Sequence, residues 1–262
     1  MKKLQPNEII EYANLAYKIL NQGGTDYKKN KNVITNLFNS EIANTYEDKI
    51  KTRLCVIDSF YSTNIRNRRY FGIDDISSIF VKHKTSNLIE KFNKCLINFD
   101  SELFPINIGI NKKGKNAGHS HSIISKYGYF LTNYQFPIFD SIVRENLPFI
   151  INLIEHQNID TKIINNIEIL FNQIGLLKRI TSLDYEKIDN LIWLFGKVKK
   201  GNISMLFVNK NTYINYCIEL GIDKVDTIED ITNKLKNNYK NLTTINTDTK
   251  KFLNFVFETN NN

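Results

Sequence analysis

Cysteine is scarce in this chain and poorly placed for chemistry. Cys55, Cys95 and Cys217 are odd in number, far apart and contain no Cys-x-x-Cys pair. That excludes a disulfide framework and a four-cysteine zinc or iron–sulfur cluster. They read as reduced thiols, with Cys55 and Cys95 in apolar surroundings. No apolar run is long enough for a membrane span or a signal peptide, and the opening MKKLQPNEIIEY is polar. A cytoplasmic protein without membrane contact is therefore expected. A Walker loop, a Gly-x-Gly-x-x-Gly turn and a His-Glu-x-x-His helix are all missing, and no cofactor is expected. His119 and His121 are two apart, so on a helix they diverge by about 200° and cannot share one metal. On an extended turn they can, but no third ligand lies nearby and no metal site is expected. Alternating strand patterns, internal repeats and low-complexity linkers are almost absent.

What is present is helical periodicity, and 262 residues with 42% hydrophobic content suffice for a sizeable core. Pro6 opens a predicted helix over 6–22, with Ile9, Ile10, Ala13, Tyr17 and Leu20 on one stripe and Gly23-Gly24 closing it. A charged loop is expected over 26–32, then helices over 33–43, 46–61, 74–81 (capped by Asp74-Asp75) and 86–99. The pattern lapses between Asp100 and Lys115, around Pro105, where Ile106, Ile108 and Ile110 alternate; a short strand or extended crossover is expected there. Helices are predicted again over 120–132, 141–156 (with a kink or break at Pro148), 160–178, 184–199, 210–220, 227–239 and 248–258. The expected architecture is all-α. It is a single helical domain with lobes of about 1–110 and 111–262 and a site in the cleft between them.

Lysine and arginine total 35 against 27 aspartate and glutamate, a net charge of +8. That excess favours a polyanionic partner, although abundant Asn, Lys and Ile point to AT-rich coding, which itself raises lysine. Basic residues gather in two segments. In the first, 62–70, Arg66, Arg68 and Arg69 are candidate phosphate clamps beside Asn64 and Tyr70. In the second, Lys112, Lys113 and Lys115 flank Gly114 ahead of Gly118, His119 and Ser120, whose backbone N–H groups complete a candidate site for a DNA phosphate.

The stretch KNAGHSHSIISKYGYFLTNYQFPIFDSIVRENL, residues 115–147, places Ile123, Tyr127, Phe130 and Leu131 on one helical face. Pro137 suits the first turn of the next helix, with Asp140 in or beside that turn, facing the positive end of its dipole. Glycine loop, helix, then apolar-Pro-apolar-x-Asp resembles the core of the helix-hairpin-helix DNA glycosylases. The resemblance implies that Asp140 is the catalytic carboxylate and that the partner is double-stranded DNA. Bifunctional members of that superfamily carry a lysine two residues after the second glycine; here that position is Ser120, or His121 with one insertion, and the nearest downstream lysine is Lys126. A one-step enzyme using water is therefore the expectation, with Lys126 as the companion candidate.

Base excision leaves a sugar with oxocarbenium character, which one carboxylate stabilises while it orients or deprotonates water. The base must leave the stack and enter a pocket with aromatic faces; Tyr61, Asn64, Tyr127 and Tyr129 are candidates by residue type. The expected protein is a monomeric DNA glycosylase for a damaged or modified base, in DNA repair or phage defence. Two further classes stay open: a non-catalytic helical DNA-binding protein on the same scaffold, and a defence or interaction module in which the charge is incidental.

Overall fold

A computed structural model describes residues 3–61, 63, 65, 69–160 and 166–259. Among these the chain is all-α: twelve α-helices, one 3-10 turn and three isolated bridges, with no strand. The helices are α1 Pro6–Leu20, α2 Asp26–Asn39, α3 Tyr46–Tyr61, α4 Gly72–Val81, α5 Thr85–Cys95 and α6 His121–Leu131. They continue with α7 Ser141–Leu153, α8 Ile167–Thr181, α9 Tyr185–Lys199, α10 Lys210–Leu220, α11 Ile228–Asn238 and α12 Thr247–Thr259; the 3-10 turn is Ser204–Leu206. None of the described helices is long and apolar enough to cross a membrane.

Local chemistry sets several of these ends. Asp184 caps α9 by accepting the Lys187 N–H at 2.8 Å, and Asn209 and Thr227 open α10 and α11 with reciprocal capping boxes. Gly221 closes α10 in the left-handed region, φ 66°. Four expectations need correction. Residues 26–32 are not a loop: α2 begins at Asp26, after Thr25, whose carbonyl accepts the Lys29 N–H at 3.0 Å. Its polar look misled because Lys31 is buried, its ammonium 4.2 Å from the Tyr134 ring centroid. Asp74 and Asp75 do not cap α4, which begins at Gly72 after Phe71 at φ 63°; Asp74 pairs with Lys51 and Asp75 accepts the Gly109 N–H at 2.7 Å. Pro137 precedes α7 rather than joining its first turn, because Phe136, Ile138 and Phe139 enter the core as non-helical chain. Finally, of the kink or break expected at Pro148, the break does not occur: α7 runs on through it.

The chain divides into two compact units: Met1–Lys29 with Ile142–Ile164 and Leu176–Asn262, and Asn30–Ser141 with Asn165–Gly175. In the first, α1 packs chiefly on α9 and also on α12, burying Ile9, Ala13, Ala16, Ile19 and Leu20. Leu4 extends this unit by hydrogen bonding on both sides, N–H to Leu153 and carbonyl to Glu155.

In the second unit, α3 packs on α4 and α6, and α5 on α6. An aromatic cluster runs through its core: Phe80 lies against Tyr127 and Phe92, Phe92 against Phe136, and Phe136 and Phe139 against Phe171. Helix α6 is the centre of this packing, with every residue from Ile123 to Phe130 buried. Gly128 permits the approach, since a Cβ there would stand 2.5 Å from the Phe92 ring. A helix buried on all faces leaves no solvent side for a charged residue, and α6 carries one.

Candidate functional site

That residue is Lys126. Its ammonium lies 3.0 Å from Asp140 Oδ2 and 2.8 Å from the Ser122 hydroxyl, with the Tyr61 ring centroid at 5.2 Å. Its side chain is 3% exposed, against 17% for Asp140. A buried ammonium is tolerated only when paired and hydrogen-bonded, and the turn leading to Asp140 supplies the carboxylate. Asp140 directly precedes α7, so the positive end of that helix also faces the site. Next to Lys126, Ser125 accepts the Phe139 N–H at 2.9 Å and donates to the Ser122 carbonyl at 3.1 Å. Two consecutive residues of α6, Ser125 and Lys126, thus hold two consecutive residues, Phe139 and Asp140, one by backbone and one by side chain.

The return from α6 to Asp140 passes through two non-glycine residues in the left-handed region, Asn133 at φ 51° and Tyr134 at φ 67°. Such conformations cost on the order of 1 kcal/mol or more each and persist where the surroundings enforce them. Here the Tyr134 N–H bonds to the Tyr129 carbonyl at 2.7 Å, its hydroxyl meets Thr35 Oγ at 2.5 Å and its ring lies beneath Lys31. Lys31, Thr35, Tyr134, Ser122 and Ser125 were not singled out in the sequence. The only signal available was the lysine at the polar start of α2, which reads as solvated surface.

The glycine loop ahead of α6 is paired as a tight hairpin-like loop. Ile108 N–H bonds to the Gly118 carbonyl at 3.1 Å, Ala117 N–H to Gly109 at 3.0 Å and Asn111 N–H to Lys115 at 2.8 Å. Asn111 Oδ1 accepts from the Lys113 and Lys115 N–H groups, shaping a tip on which Lys112, Lys113 and Lys115 are exposed. Gly114 and Gly118 stand at φ 69° and 84°, as the turn requires. Ile110 exchanges two backbone bonds with Tyr70, so this loop is docked on the end of the 62–70 segment.

Arg69 donates through Nη1 to the Gly118 carbonyl, which makes it a brace for the loop, and burial pulls its basicity down. Arg66, Arg68 and Asn64 lie outside the described residues. Asp58 fixes the neighbouring chain by accepting from Thr63 Oγ and, at 2.8 Å, from the Ile65 N–H. His119 is exposed, with its ring 4.5 Å from that of His121, and no cluster of three metal-ligating side chains occurs among the described residues. Ser120 precedes α6, buried, and its hydroxyl has no hydrogen-bond partner.

Of the candidate base-reading aromatics, Tyr61 is half-buried beside Lys126. Tyr127 and Tyr129 are each 1% exposed and serve the core. Tyr127 lies against Phe38 and Phe80, and burial pushes its phenol up to about 12; Tyr129 lies against Phe130 and Tyr134. They therefore offer packing, and Tyr61 alone of the described three is partly exposed.

Chemically, the pair presents a partly open carboxylate backed by a closed ammonium. The carboxylate can oppose a developing cation or accept a proton from water, and the ammonium fixes its orientation. Comparison with family models, with curated proteins and with solved structures found no match to the chain.

Proposed function

We propose that the chain is a DNA glycosylase that removes a damaged or modified base by a water-dependent route, with Asp140 as the essential carboxylate. The observation that carries this reading is the Lys126–Asp140 pair, a carboxylate anchored at 3.0 Å by a buried ammonium and by the Ser125 grip on Phe139. Such anchoring holds a charge in place before the glycosidic bond breaks, so little reorganisation is needed as the sugar becomes cationic. In this role Lys126 is a positioning residue for Asp140, and Tyr61 offers a stacking face to the extruded base. The exposed Lys112, Lys113 and Lys115 bind phosphate without reading sequence. DNA repair or phage defence is the setting in which such an activity would serve.

The test is an excision assay on duplexes carrying oxidised, alkylated, deaminated or hypermodified bases, with free base detected by mass spectrometry. Base release that Asp140→Asn suppresses, with duplex binding intact, supports the enzyme. Duplex binding without release in the wild type leaves a non-catalytic DNA-binding scaffold, and absence of DNA affinity removes both. Borohydride trapping separates the routes: a covalent adduct lost in Lys126→Ala would make Lys126 the nucleophile and overturn the water-dependent assignment.

A further inference from the structure

A second site stands in the first unit, and none of its lining residues belongs to the unit that holds Lys126 and Asp140. The end of α9, the turn after it, α10 and α11 line a cavity of about 400 Å³, within the range of small-molecule pockets. Ile203, Ile222 and Ile231 give it an apolar lining, and Tyr213 and Tyr216, with Phe207 behind them, form an aromatic wall. Tyr213 is 38% exposed and Ile228 71%, so the mouth is open.

Its charged groups are of one sign. Lys197 and Lys200 line the pocket, and among the described residues no carboxylate does. Lys200 pairs with Glu145 at 2.7 Å, but both side chains are well exposed, so water and other anions compete for that contact. Tyr216 is 2% exposed and its phenol oxygen has no hydrogen-bond partner. That oxygen is sealed from solvent, so Tyr216 meets the cavity through its ring. Apolar walls, an aromatic face and two ammonium groups describe one ligand chemistry.

We propose that this pocket binds a small organic anion, a carboxylate on a flat apolar body of one or two rings. The body lies between the isoleucines and the Tyr213–Tyr216 wall, and the carboxylate meets Lys197 and Lys200. The site is independent of the glycosylase reading and stands whether or not that reading holds.

Calorimetry and saturation-transfer NMR with 2-naphthoate, and with 2-naphthamide as its neutral counterpart, test it on the full chain. The expected result is saturable binding of 2-naphthoate at millimolar concentration or below, with the amide weaker by roughly tenfold. Ile231→Trp fills the pocket and should abolish binding while leaving the helical spectrum intact. Lys200→Ala removes one of the two cations from the well-exposed side of the pocket and should weaken binding severalfold. Should the tryptophan variant fail to fold, the Lys200→Ala variant decides. No saturable binding of 2-naphthoate, undiminished binding in the pocket variant that folds, or equal affinity for the amide would each overturn the proposal.

Discussion

At the scale of single residues, the proposed chemistry rests on Asp140. Asp140→Asn keeps the shape and the capacity to hydrogen-bond Lys126 but removes the charge. If the carboxylate stabilises the sugar cation, the excision rate should fall by roughly a hundredfold or more while duplex affinity is kept. A residue serving only at the start of α7 behaves differently, because Asn is also a good cap; an unimpaired excision rate in this variant would remove the assignment. Lys126→Ala should be harder on the fold than on DNA binding. It leaves a partly buried carboxylate without its cation, a loss of about 3 kcal/mol or more in urea unfolding by comparison with other broken buried pairs. Glu219 reports on a different part of the chain. Its carboxylate accepts from the Thr243 N–H and from the Thr244 N–H and hydroxyl, and these donors, Thr243 first, hold it down to about 2. A depressed carboxyl stabilises the fold fully above its unfolded value of about 4.3, and loses that contribution as pH falls toward 2. The melting midpoints of wild type and Glu219→Gln should therefore differ at neutral pH and converge through that acid window; equal midpoints at neutral pH would show that these bonds add nothing, and a gap independent of pH that the charge of Glu219 plays no part.

At the scale of elements, α6 and the loop before it carry the most specific expectations. Gly128→Ala adds helix propensity worth about 1 kcal/mol, yet its Cβ would stand 2.5 Å from one Phe92 ring atom and 3.0 Å from Phe136. Overpacking of that kind costs about 1–3 kcal/mol, and the ring is part of a close-packed cluster, so the net effect should be destabilising. A urea midpoint that rises in Gly128→Ala would mean that the cluster yields readily. In the 108–118 loop, the backbone pairing and Asn111 shape the tip independently of its lysines. Replacing Lys112, Lys113 and Lys115 together should leave the fold unchanged and weaken duplex binding equally for all sequences. The slope of log affinity against log salt should become shallower by about 0.9 for each phosphate that the variant no longer neutralises. Weakening confined to one sequence would contradict phosphate binding.

At the scale of the whole molecule, the units are not consecutive pieces of chain. The boundary between them falls within α2, at the start of α7 and within α8. The first helix finds its partners, α9 and α12, near the other end of the sequence. Ending the chain at residue 141 removes those partners and bares Ile9, Ala13, Ala16, Ile19 and Leu20, all at most 2% exposed in the full chain. Such a truncation should give aggregated protein on size-exclusion chromatography, although it keeps both Lys126 and Asp140. A monodisperse, cooperatively folding 1–141 fragment would contradict this dependence.

The helices were legible in the sequence, because period, caps and breakers act within a few residues of one another. The periodicity alone delimits residues 46–61 and 210–220, which are α3 and α10, and puts Asp184 at the start of α9. Asp140 was also legible as a carboxylate at a helix start. Its pairing with Lys126 was not, since the two are 14 residues apart and meet only because the chain turns back through left-handed Asn133 and Tyr134. The period of α6 puts Tyr127 on its apolar face, but it does not disclose that Tyr129, off that face, is buried as well. A helix shows its own apolar face in its sequence, but whether its other faces are covered depends on neighbours brought from elsewhere. The same limit hid Lys31, whose charge reads as surface until the Tyr134 ring is placed beside it. Which polar residues are drawn inside is a property of the assembled fold, because the cost of burying a charge is met by partners distant in sequence.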